Sequence, residues 1–202
     1  MPRASHPIAL KLVVTAVALV LTAVVWSAGT WSAFNQTSAS PGNSVATGTV
    51  VLGDNDAGSA LLSLSNAAAG ATATSCIKVT YTGTLPANVR LYGAVGGTGL
   101  ASYLTLTITR GTFSGTPAAK SCTGFTADTT NYGSGAGIVY TGLLSAFPTT
   151  TAAAVLEPKA AAPEEWTTNE THGYKLTVTL GNNAAMSGKN ATADFTWQAF
   201  NA

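Results

Sequence analysis

Period-two alternation of apolar and polar positions runs through most of the chain. Leu104, Leu106 and Ile108 alternate with Thr105, Thr107 and Thr109. Tyr174, Leu176, Val178 and Leu180 alternate with Lys175, Thr177 and Thr179, and Ala193, Phe195, Trp197 and Ala199 with Asp194, Thr196 and Gln198. The same rhythm is present in Ile77, Val79 and Tyr81 against Lys78 and Thr80, and in Val89 and Leu91 against Arg90 and Tyr92. Successive side chains of a strand point to opposite faces, so each run predicts a half-buried strand with polar, often β-branched residues on its wet face.

The intervening stretches are less regular. Ser44 to Leu52 reads as a first strand, Gly53 to Gly58 as a turn, and Ser59 to Leu64 as a second short strand. Turns are also expected at Gly83–Ala87 and Gly93–Gly99. Gly111 to Gly137 predicts a long irregular excursion carrying Cys122 and Phe125. Ile138 to Leu144 predicts a strand broken by Gly142. Phe147 to Glu165 holds Pro148, Pro158 and Pro163, which leaves room for one short helix in what is mostly loop. About eight short strands with no amphipathic helix predict an all-β, antiparallel two-sheet sandwich, jelly-roll-like in topology. The pattern leaves the strand order open.

The N-terminus follows a different rule. Arg3 and Lys11 precede an apolar run from Leu12 to Trp26, and the small residues Ser27, Ala28 and Gly29 follow. This is the anatomy of an N-terminal signal peptide, assigned to residues 1–32. The run is about 15 residues, short of the ~20 that span a bilayer as a helix. A retained anchor is the alternative. Asn35 to Asn43 is polar and turn-rich, so residues 33–43 read as a flexible arm and 44–202 as the folded domain. Once the leader is removed, the protein is expected to be extracellular, with membrane contact only through the leader before cleavage.

Charge narrows the function. Charged residues make up 8% of the chain and the net charge is +1. Nucleic acid requires a basic footprint, and none is present. Two cysteines, Cys76 and Cys122, both fall in the exported part, where a disulfide is the natural expectation. A loop of that size stabilises by about 4 kcal/mol in the chain-entropy account.

Catalytic chemistry finds little to build on. Beyond the leader there is one histidine, His172, two residues after Glu170 at the mouth of a predicted strand. The pair would share a face, and a solvated strand end is the favoured reading. HExxH and GxSxG are both absent. Asp54-Asn55-Asp56 could offer oxygen ligands to calcium, but the EF-hand register is missing and a plain turn is favoured. Glu164 and Glu165 are adjacent, so on an extended chain they point apart and would not act as a pair. Asn35, Asn169 and Asn190 head Asn-x-Thr triplets, acceptors only in a glycosylating host. Trp197 is read as core. No catalytic residue, cofactor or metal site is expected.

Several stretches resemble one known family. Gly29-Thr30-Trp31-Ser32-Ala33-Phe34-Asn35, a polar arm, then Gly48-Thr49-Val50-Val51-Leu52 is similar to the entry of the TasA/camelysin (CalY-like) family. Leu62-Ser63-Leu64-Ser65-Asn66 resembles its next segment. The run from Cys76-Ile77-Lys78-Val79-Thr80-Tyr81 to Arg90-Leu91-Tyr92 resembles an actinobacterial-type branch, and Phe195-Thr196-Trp197-Gln198-Ala199 is also similar. The resemblance implies a jelly roll exported through a dedicated signal peptidase, cut between Ser32 and Ala33 or just after. It also implies an extracellular biofilm-matrix fibre, built when the freed arm adds as a strand to the next copy. Carried over, that arm begins Ala33, Phe34, Asn35, Gln36. Its partners would be other copies of the chain, the peptidase and other matrix proteins.

The chain departs from the family at Asn35-Gln36, where an acidic ending is usual. Camelysin is classed as a metalloprotease, a label for which this sequence offers no zinc motif. The alternative to a fibre subunit is a monomeric surface module that binds a glycan or host protein.

Overall fold

The computed structural model describes residues 36–37, 52–55, 62, 68–158 and 163–201. All lie within Phe34–Ala202, one of the two units into which the chain divides. The expected leader, the cut at Ser32 and Ala33, Phe34 and Asn35, most of the arm, and most of the strands predicted over 44–52 and 59–64 fall outside the described residues.

Eleven strands are described: β1 (Gln36–Thr37), β2 (Leu52–Asp54), β3 (Thr72–Tyr81), β4 (Ala87–Gly96), β5 (Leu104–Phe113), β6 (Phe125–Ala127), β7 (Ile138–Leu143), β8 (Val155–Leu156), β9 (Glu165–Trp166), β10 (Thr171–Leu180) and β11 (Thr192–Asn201). They form two sheets with every pairing antiparallel. One runs β1-β11-β4-β8, with β9 also on β4; the other runs β2-β3-β10-β5-β6, with β7 also on β5. The all-β, two-sheet expectation therefore holds. No α-helix occurs among the described residues.

Besides the pairs of β4 with β11 and β5 with β10, a nested set is present. β1 pairs with β11, β3 with β10, β4 with β8 and β5 with β7, so early strands meet late ones in reverse order. The inward residues of the alternating runs meet between the sheets. Ile77, Leu106, Ile108, Tyr174 and Leu176 of one sheet and Val89, Leu91, Trp197 and Ala199 of the other are all buried. Outward threonines stack across strands: Thr74 and Thr177 approach to 3.1 Å and Thr107 and Thr141 to 3.2 Å through their hydroxyls. Such ladders account for the threonine content, because a β-branched side chain suits a pleated surface and its hydroxyl remains satisfied at the wet face.

Four expectations need correction. Gly93–Gly96 continues β4 and does not turn, because β11 offers it partners as far as Thr192. Gly53 and Asp54 belong to β2, not to a turn, because β3 runs to Tyr81 and offers them an edge. The excursion after Gly111 is less irregular than expected: β5 continues to Phe113, and Phe125–Ala127 returns to pair with it. Its return is possible because Gly111 has no side chain; a Cβ there would sit 2.1 Å from the Thr126 carbonyl oxygen. Gly142 does not break β7. The irregularity lies between Ile108 and Thr109, which pair with Tyr140 and Ile138 and leave Val139 as the extra residue. The stretch from Phe147 to Glu165 contributes the short strand β8 and the start of β9.

Candidate functional site

The inward series of β5 does not stop at Ile108. Two residues on, Arg110 takes the next inward position and is 4% exposed. Its backbone sits where β7 and β6 meet on the β5 edge: its N–H donates to the Gly137 carbonyl at 2.7 Å, and its carbonyl accepts from the Asp128 N–H at 3.0 Å. A buried guanidinium needs anions. Nη1 donates to Asp128 at 3.3 Å and to the Tyr132 hydroxyl at 3.0 Å, and that hydroxyl donates to Asp128 at 2.7 Å. Nε lies 3.4 Å from Glu157, and Nη2 is paired with Glu164. Burial works against the charge, but Tyr174, Glu157 and Glu164 outweigh it and hold Arg110 firmly protonated.

Glu157 follows β8 and is wholly buried. Its backbone anchors it to β4, with its N–H donating to the Val89 carbonyl at 2.9 Å. Burial pushes its carboxyl up to about 7, with Arg110 and the Tyr174 hydroxyl only partly offsetting the shift. The Arg110–Glu157 pair therefore links the two sheets from inside.

The inward series of β10 also extends one step, backwards from Tyr174 to His172. The imidazole packs on Trp166 with ring centroids 4.4 Å apart. Arg110 Nη2 lies 2.9 Å from Nδ1 and 3.0 Å from Nε2 of the same ring. The two ring lone pairs diverge, so one nitrogen cannot lie along both, and Nη2 sits against the ring rather than in line with a lone pair. Burial and the neighbouring Arg110 lower the His172 pKa, so the ring is held neutral.

Glu170 reaches Nε2 of His172 through Oε1 at 2.9 Å. Its other oxygen accepts from the Thr167 N–H at 2.7 Å and the Thr167 hydroxyl at 3.0 Å. Those hydrogen bonds outweigh partial burial and lower its pKa. The turn that presents it has Asn169 in the left-handed region at φ 68°, a conformation asparagine tolerates. A cleft of about 620 Å³ opens beside the cluster, lined by Arg110, Thr112, Asp128, Tyr132, Glu164 and His172 among others.

The solvated strand end expected at Glu170 and His172 is thus a half-buried polar cluster. The reason is its position: β9 brings Trp166 against the ring and β5 brings Arg110 to it. Glu164 and Glu165 are indeed separate, since Glu164 joins Arg110 while Glu165 pairs in register with Asn88. Asn55 serves the fold, accepting from the Lys78 N–H at 2.8 Å and donating to the Pro117 carbonyl at 3.2 Å. Asp56 lies outside the described residues. Cys76 and Cys122 form the expected disulfide. It fastens the excursion to β3, where the Cys76 N–H also donates to the Lys120 carbonyl at 3.3 Å.

A second feature is the side of β11 away from β4. Gln36 and Thr37 pair there with Ala199 and Gln198. Among the described residues β1 covers only those two positions of a strand ten residues long. No family model matches the chain, and no curated protein matches it.

Proposed function

We propose that the protein is a secreted structural subunit of an extracellular fibre, assembled head-to-tail when the arm of one copy adds as a strand to the next. The observation that carries this reading is the seat of Gln36 and Thr37 on the outer edge of β11. An edge strand presents unpaired N–H and C=O groups, and a strand added there satisfies them. A seat that accepts the arm of its own chain accepts the same arm from a neighbour with the same hydrogen bonds. Run head-to-tail without closing into a ring or a swapped dimer, such an exchange propagates into a filament.

The nested pairing of β1 with β11, β3 with β10, β4 with β8 and β5 with β7 supports a jelly roll as the topology. The resemblance of the Gly29–Asn35 entry to the TasA/camelysin family supports a leader over residues 1–32, removal by a dedicated peptidase, and a matrix location. Replacing residues 33–43 by a Gly/Ser arm of equal length tests the reading. Polymers should be lost while the monomer stays folded; polymers that persist unchanged overturn it. The polar cleft beside Arg110 favours a second reading, a surface module that binds a polar ligand.

A further inference from the structure

We infer that Glu164, Glu170 and His172 form a binding site for a zinc-class divalent metal ion. One ligand atom from each lies within 4.8 Å of the others. The three come from one short stretch: Glu164 enters β9, the turn after Trp166 reverses the chain, and Glu170 and His172 open β10 on a shared face.

The geometry of the pair is close to coordination already. Nε2 of His172 and Oε1 of Glu170 are 2.9 Å apart. Two ligand atoms each about 2.1 Å from one tetrahedral zinc ion lie roughly 3.4 Å apart. The two side chains need to part by only about 0.5 Å for an ion to replace the proton between them. Glu170 is held for this by the two hydrogen bonds from Thr167 to its other oxygen, the outer support that orients a ligating carboxylate. Glu164 is 45% exposed, the freest of the three, and is the side chain that closes the remaining gap. An imidazole with two carboxylates suits zinc-class ions, whereas calcium and magnesium favour all-oxygen sites.

Charge and an unsatisfied acceptor point the same way. Asp128 and Glu164 pair with Arg110, Glu157 lies 3.4 Å from its Nε, and Glu170 joins the cluster through His172. Glu157 is wholly buried, and neither of its oxygens meets a donor in good hydrogen-bond geometry, although Arg110 and the Tyr174 hydroxyl both act on it. Arg110 now divides its guanidinium among Asp128, Glu164, the His172 ring and Glu157. A metal ion that takes Glu164 and His172 releases Nη2, and the guanidinium can then turn to the Glu157 oxygens it faces from 3.4 Å. The ion would fasten the entry to β9 to the start of β10, with its remaining positions open to water or the cleft.

Isothermal titration of tag-free, chelator-stripped protein with zinc chloride tests this, with magnesium and calcium chloride as comparisons. The expected result is saturable binding of one zinc per chain, a zinc-dependent rise in melting temperature, and no response to magnesium or calcium. Glu164→Gln, Glu170→Gln and His172→Gln should each weaken zinc binding by about tenfold or more. Glu164→Gln alters the most exposed of the three ligands and remains informative if His172→Gln misfolds. No saturable binding in excess zinc, or zinc binding equal in wild type and Glu164→Gln and Glu170→Gln, overturns the inference.

Discussion

Glu157 should impose a pH dependence on stability that one substitution removes. Its carboxyl is raised from 4.5 to about 7 in the folded protein, chiefly by complete burial. Between those values the folded chain keeps this proton while the unfolded chain has lost it. Stability therefore falls as pH rises through this window and levels off above about 7. A proton held by the folded chain alone changes stability by about 1.4 kcal/mol for every pH unit crossed, so the full window is worth about 3 kcal/mol. Glu157→Gln keeps the shape and cannot titrate. Its constant cost, including the altered contact with Arg110, does not depend on this proton. The useful quantity is the stability of wild type minus that of the variant, from urea unfolding followed by tryptophan fluorescence in chelator at a series of pH values. Other groups titrate in both proteins and largely cancel. The difference should move against wild type by about 3 kcal/mol between pH 4.5 and 7. A difference that stays flat, or moves the other way, refutes the account of Glu157 as a carboxyl neutralised by burial beside an incompletely compensating arginine.

Other consequences are as direct. Cys76→Ser with Cys122→Ser removes a cross-link of sequence separation 46; urea unfolding should show a loss of about 4 kcal/mol, and an unchanged midpoint would contradict it. Gly111→Ala places a Cβ 2.1 Å from the Thr126 carbonyl oxygen. It should cost about 1–3 kcal/mol and speed amide exchange at Phe125–Ala127 first; uniform protection would count against the pairing of β6. His172 should titrate below its ordinary range by NMR in chelator, because burial and Arg110 disfavour the imidazolium. Its contribution to stability is present above its ordinary value of 6.5 and is lost as pH falls below it. Arg110→Met should raise its pKa, and a ring titrating at or above the ordinary value in wild type would count against the site's electrostatics.

The strands were legible because alternation reports one buried face. The threonines opposite Leu104, Leu106 and Ile108 mark β5 without further help, and the same holds for β10 and β11. The sheet order was not legible, since β3 pairs with β10 across some ninety residues and nothing local encodes that register. Stretches of two or three residues, such as β6 and β8, carry too short a pattern to alternate and form only because a long strand offers them an edge. The cluster around Arg110 was half legible. Continuing the period of β5 by one step puts Arg110 inside, and continuing that of β10 backwards puts His172 beside it. A cation at an inward position demands carboxylates, which is the signal that could have been followed. Nothing local marks Glu157, between Leu156 and Pro158, as the buried partner; it is chosen by the fold. The disulfide was legible from two cysteines that both follow an export-type leader.

The central claim is that the arm joins one copy to the next. Electron microscopy and size exclusion of exported protein, with its N-terminus read by mass spectrometry, test it most directly. The account predicts concentration-dependent filaments from a chain that begins at Ala33 or just after. A folded chain with that same terminus that remains monomeric at every concentration would contradict it.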